Sequence, residues 1–225
     1  MLKVENLQVF NLEGALRGMR FPMQSNSKSD SEWNYAYAGF PDEDYIIGDN
    51  DMALAQKLIK AGEPHSKFMR QILVSMDITA PLYWWKEMDT YKVATVANSE
   101  STMHKLASTP ITVKNFSFDD ELRELPLYDR EPYQLDILYE DAVANLIEDL
   151  ETLRKRYFET KDKRYWRALI QLLPTSWNQK RHWTGNYAGL LSLVHSREGH
   201  KLTEWAQFID VLKEKAPYFK EFLEV

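Results

Sequence analysis

The sequence predicts an α+β fold, and three observations carry that expectation. Apolar residues alternate in two early stretches, loosely at Val4, Leu7 and Val9 and strictly at Ile72, Val74, Met76 and Ile78, as in half-buried strands. Helical spacing dominates later, where Leu135, Leu138, Ala142, Leu146, Leu150, Leu153 and Tyr157 form one seam widened by Ile147. At 225 residues, with 44% apolar and 28% charged side chains and no repeats, the chain has the material for an ordinary globular core. The expected architecture is one domain over residues 1–225. A sheet-rich part covers about 1–118, and a helical part covering about 131–225 packs on it.

Composition removes several function classes. A net charge of −6 disfavours general DNA or RNA binding, which needs a basic face for phosphates, and leaves room only for a local basic pocket. Without cysteine there is no disulfide, thiolate metal site or cysteine nucleophile. His195 and His200 are five apart with Gly199 between them, off the spacing of paired metal ligands, so no metal site is expected. Neither G-x-G-x-x-G nor G-x-x-x-x-G-K occurs, which argues against a Rossmann site or a P-loop. The start MLKVENLQVF has no secretory layout and no apolar run reaches membrane length, so a cytoplasmic protein without membrane contact is expected. Seven Trp, 12 Tyr and 10 Phe suit planar ligands, and equally a bulky core or an oligomer interface.

In chain order, Leu2–Phe10 reads as a first strand, and Ala15–Phe21 as a helix with Arg17 and Arg20 on one face. Ser25–Glu32 is a serine-rich loop, a solvated surface segment or a lid. Asp49, Asn50 and Asp51 are cap candidates for a helix over Met52–Ala61 that Gly62 ends. A strand over Gln71–Thr79 follows, then a helix started by Ala80-Pro81. Pro110–Phe118 alternates like a strand or an extended arm, and Asp119–Arg130 is an acidic, proline-broken loop. The seam belongs to a long helix over Leu135–Glu159, packed on another subunit or inside its own chain. Arg164–Leu173 is helical and closed by Pro174, and a polar turn bearing Trp177 and Trp183 comes next. Tyr187–Val194 is an apolar helix stopped near Gly199. Lys201–Glu214 and a short segment after Pro217 complete the fold.

An asparagine thus marks one end of the Tyr187–Val194 helix, and an arginine–histidine pair marks the other. The ordered set Leu173, Pro174, Trp183, Thr184, Asn186, Arg197, His200 and Glu204 resembles the C-terminal signature of the flavin-dependent thymidylate synthases. The order of helix, strand, Ala80-Pro81 and aromatic helix resembles that family too. Its main motif, R-H-R-x-x-S-x-N-E-x-S-x-R-Y, is matched here in part. Thr95, Asn98 and Ser101 stand for its serines and asparagine, and Lys92 keeps a charge. Thr90, Tyr91, Ser99 and Met103 fall where the family has arginine, histidine, glutamate and arginine. Gln71 and Ile170 replace a further histidine and arginine.

The resemblance implies a homotetramer with FAD sites built from several subunits. It also implies reductive methylation of dUMP, or a related pyrimidine nucleotide, with methylenetetrahydrofolate and NADPH. Within it Arg197 is the catalytic residue, contacting and polarising the nucleotide, with Ser101 and Lys92 as further nucleotide contacts. Asn186, Tyr91, Lys92, Asn98 and His200 would hold the flavin, and Trp183 would support the pocket wall. The alternative is a catalytically degenerate homologue that binds a nucleotide or has a structural, oligomeric role.

Overall fold

The structure, a computed structural model, describes residues 2–34, 44–128 and 137–225. The first elements are β1 (Lys3–Phe10), α1 (Leu12–Arg20), β2 (Glu32–Asn34), β3 (Asp44–Ile46), α2 (Asp49–Lys60), β4 (Leu73–Pro81), α3 (Leu82–Met88), β5 (Val96–Ser99) and α4 (Thr102–Lys105). They are followed by β6 (Pro126–Tyr128), β7 (Ile137–Leu138), α5 (Tyr139–Thr160), α6 (Lys163–Leu172), β8 (Asn178–Asn186), α7 (Tyr187–Arg197), α8 (Thr203–Lys215) and α9 (Phe219–Leu223). The expected α+β class is what forms. Four strands pair in the order β1-β4-β8-β5, and β2–β3 and β6–β7 form two small separate pairs. β4 and β8 run antiparallel: the Tyr187 N–H donates to Ile72 O near one end and the Leu82 N–H to Trp177 O near the other. No helix among the described residues is long and apolar enough to cross a membrane.

Two expectations fail. The polar turn expected before Asn186 is β8, a nine-residue strand, so the sheet draws on the C-terminal half of the chain as well. Hydrophobic alternation misses it because its inward positions are partly polar. Gln179 is buried and satisfied instead, its Nε2 donating to Glu100 O at 2.9 Å and to Thr102 Oγ1 at 3.2 Å. Gly185 is required two residues after Trp183, since a Cβ there would meet the indole at 2.3 Å. Conversely, Pro110–Phe118 is no strand. Asn115 Oδ1 accepts from the Thr112 N–H at 2.8 Å and closes a tight turn over Val113–Asn115. That turn brings Ile111 and Phe116, five residues apart, into one core, whereas strand alternation would place them on opposite faces.

Contacts divide the chain into two compact units. One comprises residues 1–3, 79–89 and 98–181. Its core gathers Leu106, Ile111, Phe116, Leu150 and Leu169, flanked by Leu146, Ile147, Leu153 and Ile170. The α5 seam is therefore used within its own chain. Leu135, where the helix was expected to begin, lies outside the described residues, and Ile137–Leu138 are extended. In the same unit Trp85 Nε1 donates to Gln179 O at 2.9 Å. The Arg181 guanidinium lies 4.2 Å over the Trp85 ring and bonds Asp89 at 2.8 Å.

The other unit comprises residues 4–78, 90–97 and 182–225. Tyr187 is fully buried, packs edge-on to Phe219 at 5.2 Å and donates its hydroxyl to Pro217 O at 2.8 Å. Burial, with the Glu221 charge adding to it, pushes that phenol well above its usual range, so it remains a donor at any working pH. The serine-rich loop is pinned. Ser29 and Ser31 hydroxyls both donate to Asp51 Oδ2 at 2.6 Å, and buried Arg20 donates its Nε to Asp51 Oδ1. Asp51 is consequently not the cap of α2. Asp30 caps it, accepting from the Asn50 and Asp51 N–H groups at 2.9 and 3.1 Å.

Burial alone would raise the Asp51 pKa. The hydrogen bonds from Ser29, Ser31 and Arg20 and the Arg20 charge outweigh it and hold the carboxyl below its usual range. A carboxyl depressed in the folded state contributes stability that is present above its unfolded pKa and lost as pH falls through the folded value. Asp51→Ala leaves Arg20 buried without its counter-charge and should cost about 3–5 kcal/mol in urea unfolding at pH 7. Part of that difference from wild type should disappear on acidification toward pH 3. A loss below 1 kcal/mol at pH 7 would contradict this account.

Candidate functional site

The structure distributes the sequence-predicted residues over both units. Asn98 and Ser101 lie in the unit formed by residues 98–181 and its partner segments. Asn98 is exposed on β5, and half-buried Ser101 accepts from the Lys105 N–H at 3.0 Å through its carbonyl. Tyr91, Lys92, Trp183, Asn186, Arg197 and His200 all fall in the other unit.

Within that unit, the β8–α7 junction sets the site. Asn186 ends the strand in extended backbone and caps α7, its Oδ1 accepting from the Gly189 N–H at 2.9 Å. This cap is why α7 begins there: an asparagine side chain satisfies one of the free N–H groups of the first turn. Leu190, Leu193 and Val194 bury one face of the helix. Its other face, with Ala188, Gly189, Leu191, Ser192, His195 and Ser196, lines a cleft of about 810 Å³. Ile59, Met69, Val93 and Ala94 supply further apolar wall, and Asn186, Glu63, Ser66 and Arg70 add polar groups. Ala94, which lines the cleft, holds a left-handed backbone (φ 56°), a conformation that costs about 1 kcal/mol or more outside glycine and asparagine. Arg70 bonds Glu63, and both side chains are at least half exposed, so the pair is weak and easily exchanged. The two serines differ from free donors: Ser66 Oγ donates to Gly62 O and Ser196 Oγ to Ser192 O.

At the far end of α7, Gly199 takes φ 70° and lets the chain turn, as its position in the sequence predicts. Arg197 Nε donates to the Tyr91 hydroxyl at 2.9 Å. Its guanidinium lies 4.9 Å from the centre of the Trp205 ring and 5.3 Å from that of Tyr91. His200 packs edge-on to Trp205 at 6.4 Å, and its Nδ1 accepts from the Leu202 N–H at 3.1 Å at the start of α8. That bond leaves Nε2 as the nitrogen that carries the proton of the neutral ring. Lys92 is exposed. Arg70 and His195 at the cleft, and Trp205 against Arg197, are absent from the sequence-predicted set. Trp205 reads in the sequence only as part of an apolar helix face, and Arg70 sits in a turn (Lys67–Arg70) with no periodic signal. His182 Nδ1 lies 2.8 Å from Asp77 Oδ1, a pairing across β4 and β8 that sequence spacing does not reveal.

The chain superposes on Helicobacter pylori thymidylate synthase X, solved with FAD and dUMP, with a TM-score of 0.68 over 99% of this chain and 97% of that one, at 17% identity. Its fold is that of the flavin-dependent thymidylate synthases. A second solved relative of the fold, the UMP/dUMP methylase PolB of Streptomyces cacaoi bound to 5-Br UMP, gives a TM-score of 0.54 at 13% identity, covering 86% of this chain and 75% of that one. No family model and no curated protein sequence matches the chain. The likeness to the thymidylate synthase X fold thus runs through nearly the whole chain and is carried by structure at an identity where sequence alone is nearly silent.

The Asn186 cap gives a direct test of its structural share. Asn186→Ala should lower stability by about 1 kcal/mol in denaturant melts, whereas Asn186→Ser, which preserves an acceptor at the cap, should stay within about 0.5 kcal/mol of wild type. Equal melting of wild type and Asn186→Ala would show that the cap contributes nothing and that the side chain is held for another purpose.

Proposed function

We propose that the protein is a flavin-dependent, thymidylate synthase-like methyltransferase acting on dUMP or a related pyrimidine nucleotide. The observation that carries the reading is the cleft on α7, opened by Asn186, in a chain that follows a FAD- and dUMP-binding fold nearly end to end. Its volume lies within the roughly 300–1,000 Å³ of small-molecule sites, and mainly apolar walls with a few directed polar groups suit a planar ring. FAD, when bound, supplies the redox chemistry of a reductive methylation in which methylenetetrahydrofolate gives the carbon and NADPH the reducing equivalents. Asn186 presents its amide to the cleft, and the apolar wall excludes water from a ring beside it. Arg70 offers positive charge and His195 a ring nitrogen for phosphate oxygens, in place of the arginines absent at Thr90 and Met103. Arg197 carries a planar cation suited to a pyrimidine carbonyl or phosphate, with Lys92, of the same unit, as a further contact. The assembly is a homotetramer.

A second reading, a homologue that binds a nucleotide without flavin chemistry, is favoured by Thr90, Tyr91 and Met103 standing where the basic motif would be. The two separate on flavin binding. Titration with FAD should produce a bound-flavin spectrum, and Arg70→Gln should weaken FAD by about tenfold, roughly 1.4 kcal/mol, while leaving riboflavin, which has no phosphate, unchanged. Absence of any flavin signal at saturating FAD would leave the second reading in possession. Light scattering at micromolar concentration should report four chains, and a monomer would remove the assembly.

A further inference from the structure

Helix α5 has two apolar faces, and its own chain covers only one of them. Leu146, Leu150 and Leu153 enter the core described above. About a quarter-turn round the axis, Val143, Ala144 and Ile147 line an open groove of about 490 Å³. Ile111, Val113 and Phe118 form its far wall. Both lips are acidic, with Glu140 and Glu148 on the helix and Asp119 and Asp120 opposite. Arg123 is the one cation among the described lining residues, and it pairs with Asp120. The same face of α5 continues past the groove with the opposite chemistry. Phe158 follows Ala144 and Glu151 at successive steps of seven, so the three stand close to one line along the helix. Its ring is 63% exposed, with Lys161 Nζ 4.2 Å over it. Lys155, one turn earlier, is exposed and only 3.9 Å from Glu151, a weak surface pair.

We propose that two copies of the chain pair through this face of α5, antiparallel about a twofold axis near Glu151. Phe158 of each copy then enters the groove of the other over Ala144, whose small side chain leaves room for a ring between Glu140, Ile147 and Glu148. Lys155 comes beside Glu148 of the other copy, and Lys161 beside Glu140. Every contact occurs twice, as a self-complementary twofold interface requires. The occupant follows from charge: the groove calls for an apolar anchor flanked by cations, and the C-terminal half of the same helix carries one. Parallel pairing would set the acidic halves against each other, so charge fixes the direction as well. The residue at the axis is suited to the contact. Glu151 accepts from Arg154 Nε and Nη2 at 2.7 Å each and from the Ile111 N–H at 2.9 Å, so the two copies bring compensated carboxylates together. The surface goes beyond the four-chain assembly proposed above, which names no contact, and it is independent of the nucleotide site.

Sedimentation velocity over a concentration series tests the pairing. Lys155→Glu and Glu148→Lys each turn both copies of one attractive contact into a repulsive one. Each variant alone should raise the dissociation constant at least tenfold and halve the mass seen for wild type at micromolar concentration. An equimolar mixture of the two variants should regain the wild-type mass, because each then meets its complement in the other. Phe158→Ser should halve the mass without any charge change. All three positions are exposed on a helix surface, so far-UV circular dichroism should match wild type. A wild type that sediments as a monomer throughout would overturn the pairing, as would a mixture that stays dissociated. If wild type and all three variants remain four-chain assemblies, this surface is wrong and the assembly stands on another.

Discussion

A strand as polar as β8 can occupy an inner place in a sheet only if every hydrogen-bonding group it buries finds a partner. β8 meets this with neighbours on both sides, β4 and β5, which take up its backbone ladder. Gln179 adds a side-chain amide bonded to the Glu100 carbonyl and the Thr102 hydroxyl. An unmade bond at such a position would cost about 1–3 kcal/mol, comparable to a sizeable share of a domain's net stability. The placement of α7 follows from that satisfied strand. β8 delivers Asn186 in extended backbone, Asn186 caps the helix, and the helix carries both the cleft wall and Arg197.

The chemistry near α7 is organised around scarce positive charge. The chain is acidic overall, and several positions that would be basic in the resembled motif are threonine, tyrosine and methionine. Four of the arginines are each handled differently. Arg20 is buried against Asp51 and is structural, with Nη2 left without a hydrogen-bond partner. Arg181 is spent on Trp85 and Asp89. Arg70 is lightly held at the cleft, and Arg197 has the Tyr91 and Trp205 rings and the Tyr91 hydroxyl among its partners. Aromatic rings attract a guanidinium through the negative face of their π-systems. The rich tryptophan and tyrosine content thus has a use beyond bulk.

What was legible in the sequence was whatever apolar periodicity or backbone chemistry wrote down. The β4 alternation, the α7 and α8 stripes, and the Pro174 and Gly199 punctuation correspond to observed features because burial and φ angles dictate residue type at those positions. β8 was hidden because its constraint is hydrogen-bond satisfaction, which polar residues meet in many orders. The tight turn at Val113–Asn115 was misread because Ile111 and Val113 stand two apart as in a strand, whereas Ile111 shares its core with Phe116, at a spacing that a strand would put on the opposite face. Asp51 looked like a cap because it has a cap's chemistry, yet Asp30, nineteen residues before Asp49, performs that role from a loop. Asn186 and Arg197 were singled out from their order along the chain. Trp205, Arg70 and His195 were not, because their relevance arises only when distant segments fold onto α7.

The length of α7 has a consequence of its own. Its 11 residues separate Asn186 from Arg197 by about 16 Å along a stiff axis. That span exceeds a single nucleobase with its sugar, so if both residues serve a ligand, as proposed, the helix would work as a caliper. Whatever touches both jaws is either one extended molecule laid along the rod or two smaller ones meeting end to end. The rod is fixed at one jaw by the Asn186 cap and at the other by the Gly199 turn, so the gap between them cannot be tuned by side-chain motion alone. Adding or removing a helical turn would change the gauge itself, shifting one jaw by about 5 Å and leaving the chemistry of each intact.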